Sequence, residues 1–132
     1  MYVVGGFCGR ELDDCWKFDL NRKEWIQIEN LPRHLSVFAC ESVFDKQNLR
    51  LILHGGEVDP STLGHNGAGE FSKSTYIYDG QCWSLLEFSD EDFKPSTRGW
   101  HAGAYSNGSF YIYGGNLENN KRTNELWQLK FN

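Results

Sequence analysis

The sequence predicts an all-β protein built from antiparallel sheets, and three observations support this prediction. Three diglycines each follow a run of β-branched or aromatic residues, in YVVGG (2–6), LILHGG (51–56) and FYIYGG (110–115). An alternating aromatic segment follows each diglycine, at 15–20, 75–80 and 125–131. No segment sustains the 3.6-residue period of an amphipathic helix. We therefore expect about ten strands and no long helix.

The elements follow one another in a repeated order. In the first two repeats, the aromatic segment leads through a polar turn into a Trp-bearing strand at 21–28 and 80–86, which is typical of a hairpin. A Pro-containing connection then leads to a further β run, at 35–44 and 100–108. Because glycine lacks a Cβ atom, each diglycine lets a strand end turn sharply and lets neighbouring backbones approach closely.

The diglycines recur at intervals of 50 and 59 residues. The second glycine and the aromatic strand are separated by twelve residues in the first and third repeats but by twenty-two residues in the second. The second repeat therefore has a long loop, which we place at 57–74. This order of elements resembles the kelch repeat, whose period is roughly 50 residues and whose four-stranded antiparallel units form the blades of a β-propeller. A generic antiparallel sandwich is the alternative, and it would require three coincidental diglycines.

The kelch resemblance implies about two and a half blades, which do not close on their own. Residues 1–30 correspond to a blade lacking its first strand, 31–90 to a complete blade containing the long loop, and 91–132 to a blade lacking its last strand. Propellers close with about four to eight blades. We therefore expect additional kelch blades as partners, supplied by a missing N-terminal half, by self-association or by another protein.

Composition and charge argue against several classes of function. The chain has 132 residues, 39% of them hydrophobic, which is enough for the core of one domain. Thirteen Lys and Arg against eighteen Asp and Glu give a net charge of −5, so we expect no nucleic-acid partner. No apolar run reaches the roughly 18–20 residues of a membrane span, and residues 1–10 do not resemble a signal peptide, so we expect no membrane association.

The four cysteines are Cys8, Cys15, Cys40 and Cys82, and no two form a CxxC pair. An even number of cysteines in a short chain is compatible with disulfides. Because no secretory signal is visible, we interpret them instead as reduced packing residues and expect a cytoplasmic location.

The long loop contains the residues best suited to chemistry. Glu57, Asp59 and His65 place two carboxylates and one imidazole within nine residues. Hard oxygen ligands with one nitrogen suit Fe(II), Mn(II) or a similar divalent ion. Glu57 and Asp59 are two apart and would share one side of an extended strand, and His65 could return after the break at Pro60. The alternative is a solvated loop in which Asp59 caps a turn.

Further stretches resemble the C-terminal part of the nitrile-specifier, epithiospecifier and thiocyanate-forming proteins and their fungal homologues. The matching segments are GFCGRELDDCWKFD (6–19), SVFA (36–39), GGEVDP with GH-x-GAG (55–69), STRGW (96–100) and ELWQLKF (125–131). The resemblance implies a lyase-like protein that uses Fe(II) to direct the breakdown of a thiohydroximate-O-sulfate, the aglucone of a glucosinolate, towards nitriles or related products.

The same resemblance implies roles for individual residues. The iron motif of the family is E-x-x-x-D-x-x-x-H, and Glu57 and His65 match its two ends. Ser61 stands at the middle position, so the neighbouring Asp59 would have to supply the second carboxylate. Trp100 matches a Trp that lines the substrate pocket, with packing inside a blade as the alternative. Arg98 is not assigned to the sulfate.

Two other functions remain open. The chain could be a non-catalytic kelch module that binds proteins, or a truncated remnant that needs other blades. Of the remaining polar groups, the acidic segment ELDDC (11–15) is interpreted as a solvated loop. His34 and His101 are expected to have structural roles.

Overall fold

The computed structural model describes residues 1–45, 48–58, 69–89 and 93–131. In these ranges, the regular structure comprises thirteen strands and a 3₁₀ turn at Glu118–Asn120. The strands are β1 (Tyr2–Phe7), β2 (Glu11–Asp19), β3 (Glu24–Ile28), β4 (Leu35–Ser36), β5 (Ala39–Asp45), β6 (Asn48–His54), β7 (Glu57–Val58), β8 (Glu70–Phe71), β9 (Thr75–Tyr78), β10 (Trp83–Leu85), β11 (Ala102–Ser106), β12 (Ser109–Tyr113) and β13 (Leu126–Lys130). Within the described ranges, no helix has the length and apolarity needed to cross a bilayer.

Ten of these strands form three antiparallel blades. The first blade is β1–β2–β3, the second is β5–β6–β9–β10, and the third is β11–β12–β13. In the second and third blades the strand before each diglycine lies between the preceding β run and the aromatic strand. None of the sheets closes on itself in the part of the chain that is described. The prediction of an all-β, partial kelch-type propeller is confirmed.

Three two-residue strands connect the first two blades. β4 pairs with β2 and with β7, and β7 pairs with β8. The β run predicted at 35–44 is therefore two strands, because Val37 adopts a positive φ of 49° between them. This turn lets β4 continue the first sheet while β5 begins the second. The predicted long loop at 57–74 likewise contains β7 and β8 at its base.

The acidic segment 11–15 is not the solvated loop expected from its sequence but the first half of β2. Glu11 is only 6% exposed, and Oε1 of its carboxylate accepts a hydrogen bond from the Ser36 hydroxyl at 3.2 Å. Cys15 is fully buried. Glu11 is buried because β4 pairs with the start of β2, a long-range contact that the local acidity does not indicate.

The second blade is buried on both faces. Successive side chains of a strand point to opposite sides, so Leu51 and Leu53 face one neighbour and Ile52 faces the other. The first cluster joins the second blade to the first blade through Cys15, Leu31, Leu35, Tyr76, Tyr78 and Trp83. The second cluster joins it to the third blade through Ala39, Val43, Phe110 and Ile112. This arrangement explains the continuous apolar run Leu51–Leu53 in β6.

The cysteines divide into two pairs, and none forms a disulfide. Cys15 and Cys40 are packing residues as expected, and burial raises the pKa of both thiols, that of Cys40 to about 12. Cys8 and Cys82 are exposed. The interpretation as packing residues is therefore wrong for Cys8 and Cys82.

The diglycines adopt backbone angles that favour glycine and lie against other backbone segments. Gly55 and Gly56 have φ values of +70° and +98°. A Cβ atom on Gly56 would lie 2.6 Å from the carbonyl oxygen of Ser36, closer than real Cβ contacts. The third blade repeats the hydrogen bonding of the second: Gly55 donates to Ser74 at 3.0 Å, and Gly114 donates to Glu125 at 3.0 Å. Sharp turning and close backbone approach are both confirmed.

Replacing Gly56 by alanine is expected to cost more than the same change at Gly80. Gly80 has a similar φ of +103° but no atom within 4 Å of its ideal Cβ position. Gly80→Ala should therefore cost only backbone strain, about 1–2 kcal/mol, whereas Gly56→Ala adds overpacking of about 1–3 kcal/mol. Urea denaturation of both variants measures the difference. Equal losses would contradict the close approach as the reason for glycine at 56.

Candidate functional site

The candidate site lies at the end of the blades where the diglycines are found. The Gly56 amide donates to the carbonyl oxygen of Arg98 at 2.9 Å, and the Trp100 amide donates to that of Val37 at 2.8 Å. These bonds hold the loop after the second diglycine against the segment that precedes the third blade. Trp100 therefore lies at the same hydrogen-bonded junction as Gly56, the residue that precedes Glu57.

Glu57 lies at the base of the long loop and is half-buried. It pairs in register with Ser36 of β4 and Phe71 of β8. Oε1 of its carboxylate accepts a hydrogen bond of 2.6 Å from the Gly69 amide, on the opposite side of the loop base. Glu57 thus helps to close the loop, and its second oxygen, Oε2, is chemically able to bind a cation.

The other predicted metal ligands, Asp59 and His65, lie outside the described residues, as does Ser61. Among the side chains that the structure describes, no three His, Cys, Asp or Glu groups converge as a metal site. The Fe(II) site of Glu57, Asp59 and His65 therefore stays a prediction. A donor set of two carboxylates and one imidazole fits Fe(II) by its chemistry.

Trp100 is a surface residue at the edge of the third blade. Its side chain is 62% exposed and its φ is +61°, a conformation uncommon for a bulky residue. Trp100 lines an open groove of about 440 Å³, whose other walls include Tyr113, Arg122 and Thr123. Of the two roles considered for Trp100, packing within its own blade does not fit this exposure, and the role in lining a pocket stays a prediction.

Arg98 is a structural cation. Its side chain is fully buried, and its guanidinium donates to the Ser96 carbonyl at 3.1 Å, to the Ser96 hydroxyl at 3.2 Å, to the Gly114 carbonyl at 3.2 Å and to the Glu125 carboxylate at 2.7 Å. Hydrogen bonds from Arg98 and from the Trp127 indole lower the pKa of Glu125. These partners hold Arg98 at the third diglycine.

Two histidines are buried between the second and third blades, and only His101 was singled out from the sequence. Its Nε2 contacts the carbonyl oxygen of His54 at 3.0 Å, and the two rings meet edge to face with centroids 5.7 Å apart. Burial lowers the pKa of His54 to about 3, with smaller effects from His101 and Arg98, and lowers that of His101 to about 4. The structural role expected for His101 fits this geometry.

His34 lies elsewhere on the surface, and its ring lies 3.6 Å from the Asp13 carboxylate. His54 could have been noticed from the sequence, because the LILHGG segment places a His where FYIYGG has a Tyr. His54 is buried because the third blade packs over it, and the local sequence pattern does not show this packing.

Open surfaces occur at the edge of the first blade and on the face of the third. β1 is an edge strand, and no described strand pairs with it on the side that β5 and β11 occupy in the other blades. An open groove of about 500 Å³ lies beside it, lined by residues that include Tyr2, Val4, Phe38, Phe44 and Leu49. The outer face of the third blade exposes Tyr113 and Leu126, and Trp100 is exposed just before its first strand. Such edges and apolar faces are typical of surfaces that pair with further β structure.

Comparison with known proteins supports the kelch interpretation. Residues 1–32 match the family model described as Kelch motif. The N-(sulfonatooxy)prop-2-enimidothioate sulfolyase of Thlaspi arvense is 28% identical over 123 residues, which cover 87% of this chain and 34% of that protein.

Two further relatives have different names. The Leucine-zipper-like transcriptional regulator 1 homolog of Drosophila melanogaster is 25% identical over 99% of this chain and 13% of its own length. Host cell factor 2 of Homo sapiens is 29% identical over 98% of this chain and 18% of its own length. The chain therefore spans about a third or less of each of these relatives. The predicted kelch repeat, and its likeness to a specifier-type sulfolyase, are confirmed.

Proposed function

We propose, from its kelch-type propeller fold, that this chain forms part of a propeller of the nitrile-specifier type that is completed by further kelch blades. In that assembly, the diglycine end would bind Fe(II) through Glu57, Asp59 and His65, with Trp100 lining the substrate pocket. The substrate class would be a thiohydroximate-O-sulfate or a related small molecule. We also propose the cytoplasm as its location.

The observation that supports this proposal best is the position of Glu57. It lies on the base of the long loop, one residue from the junction that joins this loop to the segment of Trp100. The similarity to the Thlaspi arvense sulfolyase extends over 87% of the chain. The name of that protein specifies an N-sulfonatooxy imidothioate, which belongs to the same chemical class as the proposed substrate.

Residues of this chain would have different roles at this site. Glu57 is already positioned by the Gly69 amide, so the carboxylate is oriented before a cation arrives. The exposed Trp100 ring would offer an apolar wall that excludes water from the pocket. When bound, Fe(II) would supply a Lewis acid that polarises the substrate. Further blades would have to provide the rest of the pocket, including a cation for the sulfate, because Arg98 is already engaged.

A second candidate function is a non-catalytic module that binds other proteins. The open edge of β1 and the exposed aromatic face of the third blade favour it, since both can be covered by a strand or blade of another chain. Under either proposal, these surfaces would be covered by additional kelch blades, supplied by the same protein, by a second copy or by a partner.

Calorimetric titration of the chain with Fe(II) under anaerobic conditions tests the metal site. We expect binding in the parent chain and its loss in His65→Ala, with a weakening of at least about tenfold in Glu57→Gln. The side-chain carbonyl of the substituted glutamine would still accept from the Gly69 amide, so Glu57→Gln removes charge without opening the loop base. Ser61→Asp restores the middle carboxylate of the motif and should strengthen binding.

Glu70→Gln is the matched control, because Glu70 is an exposed carboxylate at the same loop base and is not a proposed ligand. It should leave the affinity unchanged. No binding in the parent, or equal binding in His65→Ala, would refute the metal site. Sedimentation of the same samples then bears on the second candidate, because self-association without metal binding favours an interaction module.

A further inference from the structure

Neighbouring blades of this chain pack on each other through the same positions, counted back from the diglycine. The residue two before the first glycine faces the preceding blade: Leu53 lies in the cluster shared with the first blade, and Ile112 in the cluster shared with the second. The residues one and three before that glycine face the following blade. Tyr2 and Val4 pack against the first cluster, and Ile52 lies in the second. Each blade therefore has a covering face, which packs on the blade before it, and a covered face, which receives the blade after it.

The first blade has a covering face with no cover among the described residues. Val3 stands two before the first diglycine, and its cross-strand partner Trp16 is aromatic, like the partners of Leu53 and Ile112. Val3 is 45% exposed and Trp25 is 50% exposed. The apolar residues that alternation places on this face are Val3, Trp16, Phe18 and Trp25. The Phe18 and Trp25 rings lie against each other, with centroids 4.9 Å apart.

The third blade has a covered face that is equally open. Tyr113 stands immediately before the third diglycine and is 55% exposed, whereas His54, at the same position of the second blade, is 4% exposed. Leu126, the cross-strand partner of Tyr113, is 67% exposed, whereas Thr75, the partner of His54, is 3% exposed. Tyr111 lies on the same side of the sheet. The difference in exposure shows how much surface a following blade would bury.

We propose that two copies of this chain associate head to tail, with the covering face of the first blade of each copy packed on the covered face of the third blade of the other. This inference rests on the proposal that further kelch blades complete the propeller, and it does not depend on the iron site. It commits the completing blades to a second copy and assigns the two faces that meet.

The number of blades favours two copies. Head-to-tail contacts close into a ring when the rotation between subunits permits it. Each copy has three blades in its described part, so two copies give six, whereas three copies would give nine. Known propellers close with about four to eight blades. A ring of two copies also covers both open faces of each chain at once, with two identical junctions.

The chemistry of the two faces is compatible with burial against each other. Both are rich in aromatic and aliphatic side chains, as are the clusters inside the chain. The Trp16 indole already donates to the Asp14 carboxylate at 2.6 Å, and the Gln128 amide donates to the Tyr111 hydroxyl at 3.0 Å. These donors would therefore stay satisfied when a second copy excludes water from the junction.

Sedimentation equilibrium of the metal-free chain, at concentrations up to about 100 µM, tests the association. We expect twice the mass of one chain. Leu126→Glu on the covered face, or Val3→Glu on the covering face, should weaken association at least about a hundredfold, because each buries an unpaired carboxylate at both junctions. Leu85→Glu is the matched control, since Leu85 is a half-exposed leucine of the middle blade and belongs to neither face. It should leave the mass unchanged.

Mixing the two variants distinguishes a head-to-tail junction from a symmetric one. Val3→Glu keeps an intact covered face and Leu126→Glu keeps an intact covering face, so an equimolar mixture should form a one-to-one complex through a single junction. This recovery would also show that both variants are folded. The milder pair Val3→Thr and Leu126→Gln repeats the test if either glutamate variant fails to fold.

Three results would overturn the proposal. They are a monomeric parent chain, a dimer that either single glutamate variant leaves intact, and folded variants that do not associate when mixed. Failure of the iron site is separate, because a dimer that binds no Fe(II) would support the assembly while refuting the metal site. A monomer that binds Fe(II) would refute the assembly alone.

Discussion

Lowering the pH from 7 to 5 is expected to reduce the free energy of unfolding by about 4 kcal/mol, through His54 and His101. Burial holds their pKa values at about 3 and about 4 in the folded chain, against about 6.5 when unfolded. Below pH 6.5 the unfolded chain takes up protons that the folded chain does not. Stability is therefore fully present above about pH 6.5 and falls as the pH drops towards the folded values.

The surroundings of the two rings explain why protonation is resisted. Each faces the other, Arg98 lies close to both, and the carboxylate nearest to Arg98, that of Glu125, is already bonded to it. A proton on either ring would add a buried positive charge beside an existing one. Thr75 offers His54 a neutral partner that does not compensate such a charge.

Urea denaturation at intervals between pH 7 and 5 measures this effect. The slope should approach about 2.7 kcal/mol per pH unit near pH 5, since two protons are taken up on unfolding. His54→Leu should reduce the slope to about half, whatever its absolute stability. A pH-independent stability in this range would show that the two rings are not buried together.

Replacing Arg98 by leucine is expected to destabilise the chain by about 3 kcal/mol. The side chain is fully buried, and the change leaves the Gly114 carbonyl without its donor. Glu125 is 48% exposed, so water can replace the guanidinium at its carboxylate. The loss therefore comes mainly from the buried carbonyl and from imperfect filling of the space.

The second blade offers a matched control for this change. Leu35 lies four residues before β5, as Arg98 lies four residues before β11, and both are fully buried. Glu125, the partner of Arg98, corresponds to Ser74 of the second blade. The backbone carbonyl of each accepts a hydrogen bond from the first glycine of the preceding diglycine. The double variant Arg98→Leu with Glu125→Ser copies the second blade and should lose less than the sum of the single variants. Strict additivity, or a loss below about 1 kcal/mol for Arg98→Leu, would contradict the assigned role.

Strand identity and order could be predicted from the sequence because they depend on local patterns. The alternation in FYIYGG and ELWQLKF is set by neighbouring residues, and a diglycine marks a turn wherever the chain places it. The ten blade strands were therefore predictable, with boundaries shifted by a few residues. The hydrogen bonds of Gly56 and Trp100 bring Glu57 and Trp100 to the same end of the blades, and their roles as site residues stay predictions.

The break at Val37, the burial of Glu11 and the paired histidines were decided by the tertiary structure. A β-branched residue does not favour positive φ locally, and Val37 adopts it because β4 and β5 belong to different sheets. Glu11 and His54 are polar residues within ordinary strand patterns. They are buried because β4 and the third blade, distant in sequence, pack over them, and whether a polar group is buried depends on what covers it rather than on its neighbours in the chain.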